Sequence, residues 1–223
     1  MSNIKPTKPP KNRIIEEFDK LIVLDILQEE KDNKIYEFYN RNFDFFERVD
    51  SITSNSMIAS FINIKIIYIR ILDDKEMYKD ASYICKQLPG LLAKLDKEYY
   101  KYQEIKIRVL RWEGVILGRL KQYKKSNEKF KLLFNIGEEK NFYKRWLTSN
   151  YYCIYYKYVL AFLICTIILT ILRYIPIYLD CNLPVFPLKL SSAISIISLI
   201  LMIVYFSLEN IITYFINKKY KIT

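Results

Sequence analysis

The chain is expected to be all-α: a helical cytoplasmic domain followed by two transmembrane helices. Three observations predict this. Only 4 Gly and 7 Pro punctuate 223 residues, which favours long helices over turn-rich sheet. Apolar residues recur at helical spacing from Arg13 to about Phe142. Two long uncharged runs then follow, at Tyr158–Leu172 and Leu190–Leu208. The 52% hydrophobic content beside 26% charge sets the chain apart from disordered sequences.

The elements follow in order. Residues 1–12 are polar and Pro-rich and read as a flexible tail without a signal peptide, so the domain starts in the cytoplasm. In "RIIEEFDKLIVLDILQEE" the residues Ile15, Phe18, Ile22 and Ile26 make one stripe, which "KDN" is expected to break. Tyr36, Tyr39, Phe43 and Phe46 form an aromatic stripe in the next helix. "SNSM" supplies N-cap residues for the apolar helix that ends at Asp73-Asp74. Further helices are expected over about 75–88, ending at Pro89-Gly90, then 91–120, then 123–136. This gives a helical domain over 13–145 and a membrane hairpin over 146–223, its spans at about 155–178 and 189–211.

Chemistry is bounded mainly by elimination. The chain contains no His, which removes imidazole-based triads, Cys-His pairs and His-dependent zinc hydrolases. No phosphate-cradling Gly motif occurs. Cys85, Cys153, Cys165 and Cys181 form no CxxC pair, so neither a metal nor a redox site is expected. The adjacent acid pairs, such as Glu29-Glu30 and Asp73-Asp74, point about 100° apart on a helix and read as solvated or capping residues. No catalytic residue, metal or cofactor is assigned, and a non-enzymatic role is expected.

Two stretches repeat: "EMYKDASYICKQL" and "KQYKKSNEKFKLL" share Tyr-Lys-x-small-x-x-x-apolar. Gly114, Leu117, Tyr123, Ser126 and Phe130 resemble the small and large positions of a tetratricopeptide repeat. Leu72, Tyr78, Ala81 and Cys85 match it in part. Ser126 replaces the usual Ala, no Trp stands at its usual place, and the motifs are 45 residues apart rather than about 34. The resemblance implies an α-hairpin array that binds a protein partner in a concave face.

Charge is uneven. Residues 86–145 hold 16 bases against 7 acids, and Arg108, Arg111, Arg119, Lys121, Lys124, Lys125 and Lys129 mark a basic face. That face reads as a solvated surface, as a contact to anionic lipid, or as a nucleic-acid surface; no nucleic-acid motif accompanies it.

The first run extends to Leu179 with Arg173 as its only charge, and with that extension each C-terminal run reaches the roughly 20 residues that a membrane crossing needs. Lys and Arg gather on the terminal sides, at Lys140, Lys144, Arg145 and Lys157, then at Lys218, Lys219 and Lys221. Both termini are therefore expected in the cytoplasm of a bacterial inner membrane. Polar residues line up within the runs: Thr166, Thr170 and Arg173 on the first, Ser191, Ser195, Ser198 and Glu209 on the second. Such stripes serve helix–helix packing or, in an oligomer, an ion path. Lys157 is one candidate partner for Glu209.

The layout resembles small membrane accessory or effector proteins of bacterial antiphage systems, including type VI CRISPR accessory proteins. That resemblance, together with the hairpin, implies an adaptor that recruits a protein partner to the lipid bilayer. The alternatives are a homo-oligomeric, membrane-disrupting effector and a membrane-tethered RNA-binding protein.

Overall fold

The computed structural model describes residues 10–47, 54–178 and 188–220, and every regular element among them is helical. In chain order these are α1 (Pro10–Ile22), α2 (Gln28–Arg41), α3 (Phe43–Glu47), α4 (Asn55–Asp74) and α5 (Tyr78–Cys85). There follow α6 (Leu88–Lys94), α7 (Tyr102–Arg119), α8 (Tyr123–Ile136), α9 (Lys140–Tyr178) and α10 (Leu188–Tyr220). Most of the expected tail and the loop holding Pro184 and Pro187 lie outside the described residues. The chain divides into two compact units, Met1–Gln122 and Tyr123–Thr223.

The first unit is built around α4. That helix carries Ile, Phe or Tyr on every side, and a helix apolar all round must be enclosed. The α2, α5, α6 and α7 helices enclose it, α1 covers α2, and Ile62, Ile69 and Leu72 are fully buried. Ser54 caps its start, its hydroxyl accepting from the Met57 amide at 3.3 Å, as "SNSM" suggests. Tyr39 and Phe46 of the aromatic stripe are buried and stacked at 4.6 Å, but from two helices rather than one, α2 and α3 being parted at Asn42. Phe43 is left partly exposed at the other edge.

Three boundaries differ from the sequence reading. The first helix ends at Ile22 and the break falls at 23–27, so "KDN" lies inside α2. There Asp32 accepts from Gln28 at 2.7 Å and pairs with Arg70 on α4, which stabilises the helical path. Pro89-Gly90 starts α6 rather than ending a helix, because a proline in the first turn has no intrahelical bond to lose. The 91–120 segment is interrupted at 95–101, between α6 and α7.

The second unit holds α8, α9 and α10. The N-terminal part of α9 packs on α8: the Asn150 amide donates to Ser126 Oγ at 2.8 Å and to Asn127 Oδ1 at 2.9 Å. Phe130 stacks on Trp146 at 5.5 Å, and Tyr220 from the end of α10 stacks on Phe134 at 4.4 Å. Consequently α8, expected within the 13–145 domain, shares its compact unit with the apolar helices. Gly114 and Leu117 lie in one unit, and Tyr123, Ser126 and Phe130 in the other.

The repeat nevertheless has a structural counterpart in its turns. α4 and α7 end in the same motif, with Met77 N–H donating to Leu72 C=O at 2.8 Å and Gln122 N–H to Leu117 C=O at 2.9 Å. The inner bonds are Glu76 to Asp73 and Lys121 to Gly118, at 3.0 and 2.9 Å. This is the Schellman closure, which places the residue after the cap in the left-handed region. Glu76 and Lys121 have φ of 59° and 61°. A side chain there costs free energy that glycine avoids.

Two expected outcomes follow. Glu76→Gly and Lys121→Gly should each raise stability, by about 0.5–1 kcal/mol, in denaturant titrations followed by circular dichroism. Gly137→Ala should destabilise the second unit: a Cβ there would lie 2.5 Å from the Tyr143 hydroxyl and 2.9 Å from the Leu133 carbonyl. Because Tyr143 is buried and cannot swing away, the loss should exceed about 1 kcal/mol in the same titration.

Candidate functional site

Three described helices are long and apolar enough to cross a membrane: α4, α9 over Lys140–Ile171, and α10 over Ile196–Tyr220. Coverage separates them. In the most apolar 18-residue window, 61% of α4 is buried inside the protein, against 6% for α9 and 11% for α10. Phe162, Ile168 and Ile171 on α9, with Ile196, Leu199, Ile203 and Phe206 on α10, stand exposed.

The two long helices run antiparallel and meet through hydroxyls. Thr166 and Ser198 approach at 3.4 Å, and the Tyr205 hydroxyl donates to that of Tyr156 at 3.1 Å. Thr166 also donates to the Leu163 carbonyl and Thr170 to the Thr166 carbonyl, both at 2.8 Å. The polar line expected from sequence thus brings Thr166 and Ser198 together between the helices. The side chains of Arg173, Ser191 and Ser195 lie outside the described residues.

Glu209 is exposed where α10 leaves its most apolar stretch. It lines a groove of about 330 Å³ with Lys144, Arg145, Thr148, Ser149, Tyr152 and Thr213. Lys157, the partner suggested by sequence, does not line it. On the other side of the same helices Tyr151, Tyr155, Ile212, Phe215 and Ile216 line an apolar groove of about 420 Å³.

The basic residues disperse into different roles. Arg119 makes a two-pronged pair with the buried Asp73 carboxylate, at 3.0 and 3.2 Å, and lies over the Tyr78 ring. It ties the end of α7 to the end of α4, and the hydrogen bonds it donates to Asp73 raise its pKa further. Arg108 donates to Asn63 at 2.8 Å. It lines a groove of about 370 Å³ with Lys31, Arg70, Trp112, Ile66 and Ile67. Arg111 is half-buried on α7, Lys121 occupies the left-handed turn, and Lys124 and Lys125 are exposed at the start of α8, with Lys129 half-buried further along.

A cluster that sequence reasoning missed sits inside the first unit. Lys65, in the middle of α4, is 0% exposed. Its ammonium donates to Gln87 Oε1 at 2.6 Å and to the Tyr39 hydroxyl at 3.1 Å, with Glu47 Oε1 at 3.5 Å. Gln87 donates in turn to both Glu47 oxygens, at 3.0 and 2.8 Å, and the Tyr83 hydroxyl donates to Glu47 at 2.9 Å. Burial pushes the Lys65 ammonium down to about 8, with Glu47 opposing. Burial also raises Tyr39, and raises Tyr68 to about 12. The available signal was α4 itself: a polar residue inside an all-round apolar helix must find buried partners.

No family model, curated protein or solved structure matches this chain.

The Lys65 cluster sets a pH dependence. Its folded-state pKa lies below the unfolded value near 10.5, so the folded protein binds fewer protons between about pH 8 and 10.5. Stability should rise with pH across that window. The raised Tyr39 and Tyr68 oppose this above about pH 10, where the unfolded chain loses its phenolic protons first. Denaturation midpoints of the full chain between pH 7 and 9.5 should climb in the wild type and stay flatter in Lys65→Met.

Proposed function

We propose that this protein is a membrane-anchored, non-catalytic helical adaptor. In this reading α9 and α10 form a two-helix hairpin in the bacterial inner membrane, and the helical units hold a protein partner beside the bilayer. The observation that carries it is the contrast in coverage: α4 is enclosed by protein, whereas α9 and α10 leave their apolar windows bare. Exposed apolar surface on that scale implies an apolar partner, and two antiparallel helices of this length fit a bilayer. The basic residues at the terminal ends of both helices favour cytoplasmic termini.

The partner surface we favour is the groove of Arg108, Arg70, Lys31 and Trp112, which combines cations with an aromatic and apolar floor. Such a mixture suits the acidic, partly apolar face of a protein. The matching turns at Leu72–Met77 and Leu117–Gln122 support a helical-repeat reading with tetratricopeptide-like turns. The antiphage-accessory setting is part of this proposal and rests on layout. An adaptor is favoured over a pore because Thr166 and Ser198 engage each other inside one hairpin, so those two hydroxyls need no aqueous path.

The test combines extraction and exchange. The full chain should stay with bacterial membranes through alkaline carbonate washing, and tags at both termini should resist protease added to spheroplasts. Replacing residues 158–206 by an unrelated two-helix hairpin should leave the cytoplasmic partner recruited, because the α8–α9 contacts at Phe130 and Asn150 are retained. Release by carbonate would sink the anchor. Loss of partner recruitment on hairpin exchange would instead support an effector whose hairpin acts.

A further inference from the structure

We infer that the Glu209 groove is a binding site for a zwitterionic phospholipid headgroup, one carrying both a phosphate and a primary ammonium, as in phosphatidylethanolamine. The inference rests on the membrane-hairpin reading above and names a ligand for one face of that hairpin.

Three observations lead to it. The groove holds opposite charges that do not neutralise each other: Lys144 and Arg145 on α9 and Glu209 on α10 all line it. Among the described residues, no ion pair joins Glu209 to either cation. Second, Thr148 is only 8% exposed, and its hydroxyl is buried without a hydrogen-bond partner. A threonine on a helix ordinarily bonds its hydroxyl to a carbonyl one turn back, as Thr170 does. A buried polar atom left alone beside a charged groove is explained by a ligand that completes it.

Third, the place is right. On α9 the groove spans residues 144–152, with five residues including Lys157 between it and the uncharged run that opens at Tyr158, and on α10 it spans 209–213, directly after the other run closes. With a rise of 1.5 Å per residue, Tyr152 lies about 9 Å along α9 from Tyr158. Glu209, one residue past the apolar run of α10, therefore falls at the polar margin of a bilayer, roughly 5–8 Å thick on each side, with Tyr152 just beyond it. Thr148 and Lys144 lie about 15 and 21 Å from Tyr158, so the two cations approach the headgroups through their long side chains.

The chemistry then selects the headgroup. A phosphate takes charge-assisted bonds from Lys144 and Arg145 and hydroxyl donors from Thr148 and Ser149. The Glu209 carboxylate would repel a purely anionic headgroup, but it accepts hydrogen bonds from a primary ammonium. A quaternary ammonium offers no N–H and gains only the charge attraction. A volume near 330 Å³ sits at the lower end of ligand pockets, enough for a headgroup while the acyl chains lie along bare α9 and α10.

Native mass spectrometry of the full chain in detergent tests this, with equimolar phosphatidylethanolamine, phosphatidylcholine and phosphatidylglycerol of identical chains. The wild type should retain phosphatidylethanolamine about tenfold over phosphatidylcholine, the discrimination expected of one charge-assisted hydrogen bond. Glu209→Gln should erase that preference and raise phosphatidylglycerol retention. Arg145→Gln should weaken retention of both phosphatidylethanolamine and phosphatidylglycerol, and Thr148→Val should weaken the former. Equal retention of the three lipids, or a wild-type preference for phosphatidylglycerol, overturns the inference. So does displacement of bound lipid by millimolar phosphoethanolamine or inorganic phosphate, which would identify a soluble ligand. Flotation of the same preparation with lipid vesicles separates the two readings: a chain that floats without discriminating lipids loses only the headgroup site. One that fails to float loses the hairpin as well.

Discussion

Apolar helix surface has to be covered, and where that covering comes from organises this molecule. By length and composition α4, α9 and α10 could each cross a membrane, although α4 is the shortest and least apolar of the three. In α4 the covering is protein, supplied by α2, α5, α6 and α7. In α9 and α10 each helix covers only a narrow seam of the other, and the outer faces stay bare. At roughly 25 cal/mol for each Å² of apolar surface, water is an expensive neighbour for two such helices. The division into two compact units, and the proposed division of labour between them, both follow from that difference.

The enclosed helix has a cost of its own. Lys65 is buried at the centre of α4, where a charge needs compensation from several groups at once. Glu47, Gln87 and Tyr39 supply it from α3, the α5–α6 junction and α2, and Tyr83 of α5 holds Glu47 from the far side. An apolar α4 could slide or rotate among Ile-rich neighbours with little penalty. A buried ammonium with geometrically fixed acceptors allows one register, the role in which buried polar groups are best attested. Arg119 and Asp73 act in the same sense at the helix end, fixing α7 against α4.

Helix existence was legible from sequence because it rests on local periodicity. The stripe at Tyr39 and Phe46, the cap at Ser54 and the apolar runs were each visible within a dozen residues. The boundaries failed where a distant residue decided them. "KDN" is a plausible breaker until Arg70, 38 residues on, pairs with Asp32. Pro89 reads as a stop until the preceding turn makes it a start. The basic face was legible as composition but not as a surface, because Arg119 and Arg108 are tied to Asp73 and Asn63 of α4. The Lys65 cluster was out of reach for the same reason: its partners lie 18 to 26 residues away on three other segments.

α9 joins the wet and the apolar parts of the second unit without a break. Its 39 residues correspond to about 58 Å of helix, more than a bilayer's hydrocarbon core requires. The excess is the stretch from Tyr143 to Asn150, which α8 grips through Phe130, Ser126 and Asn127. In the membrane-anchored reading proposed above, a helix clamped at one end by aromatic and amide contacts and bare at the other would have its depth set at the junction between them. The groove of Lys144, Arg145, Thr148 and Glu209 runs from the clamped stretch toward that junction, and among the described residues no ion pair joins its acid to its bases. A headgroup seated there would satisfy the charges and fix how deep the hairpin sits, so recognition and anchoring would be one structural event.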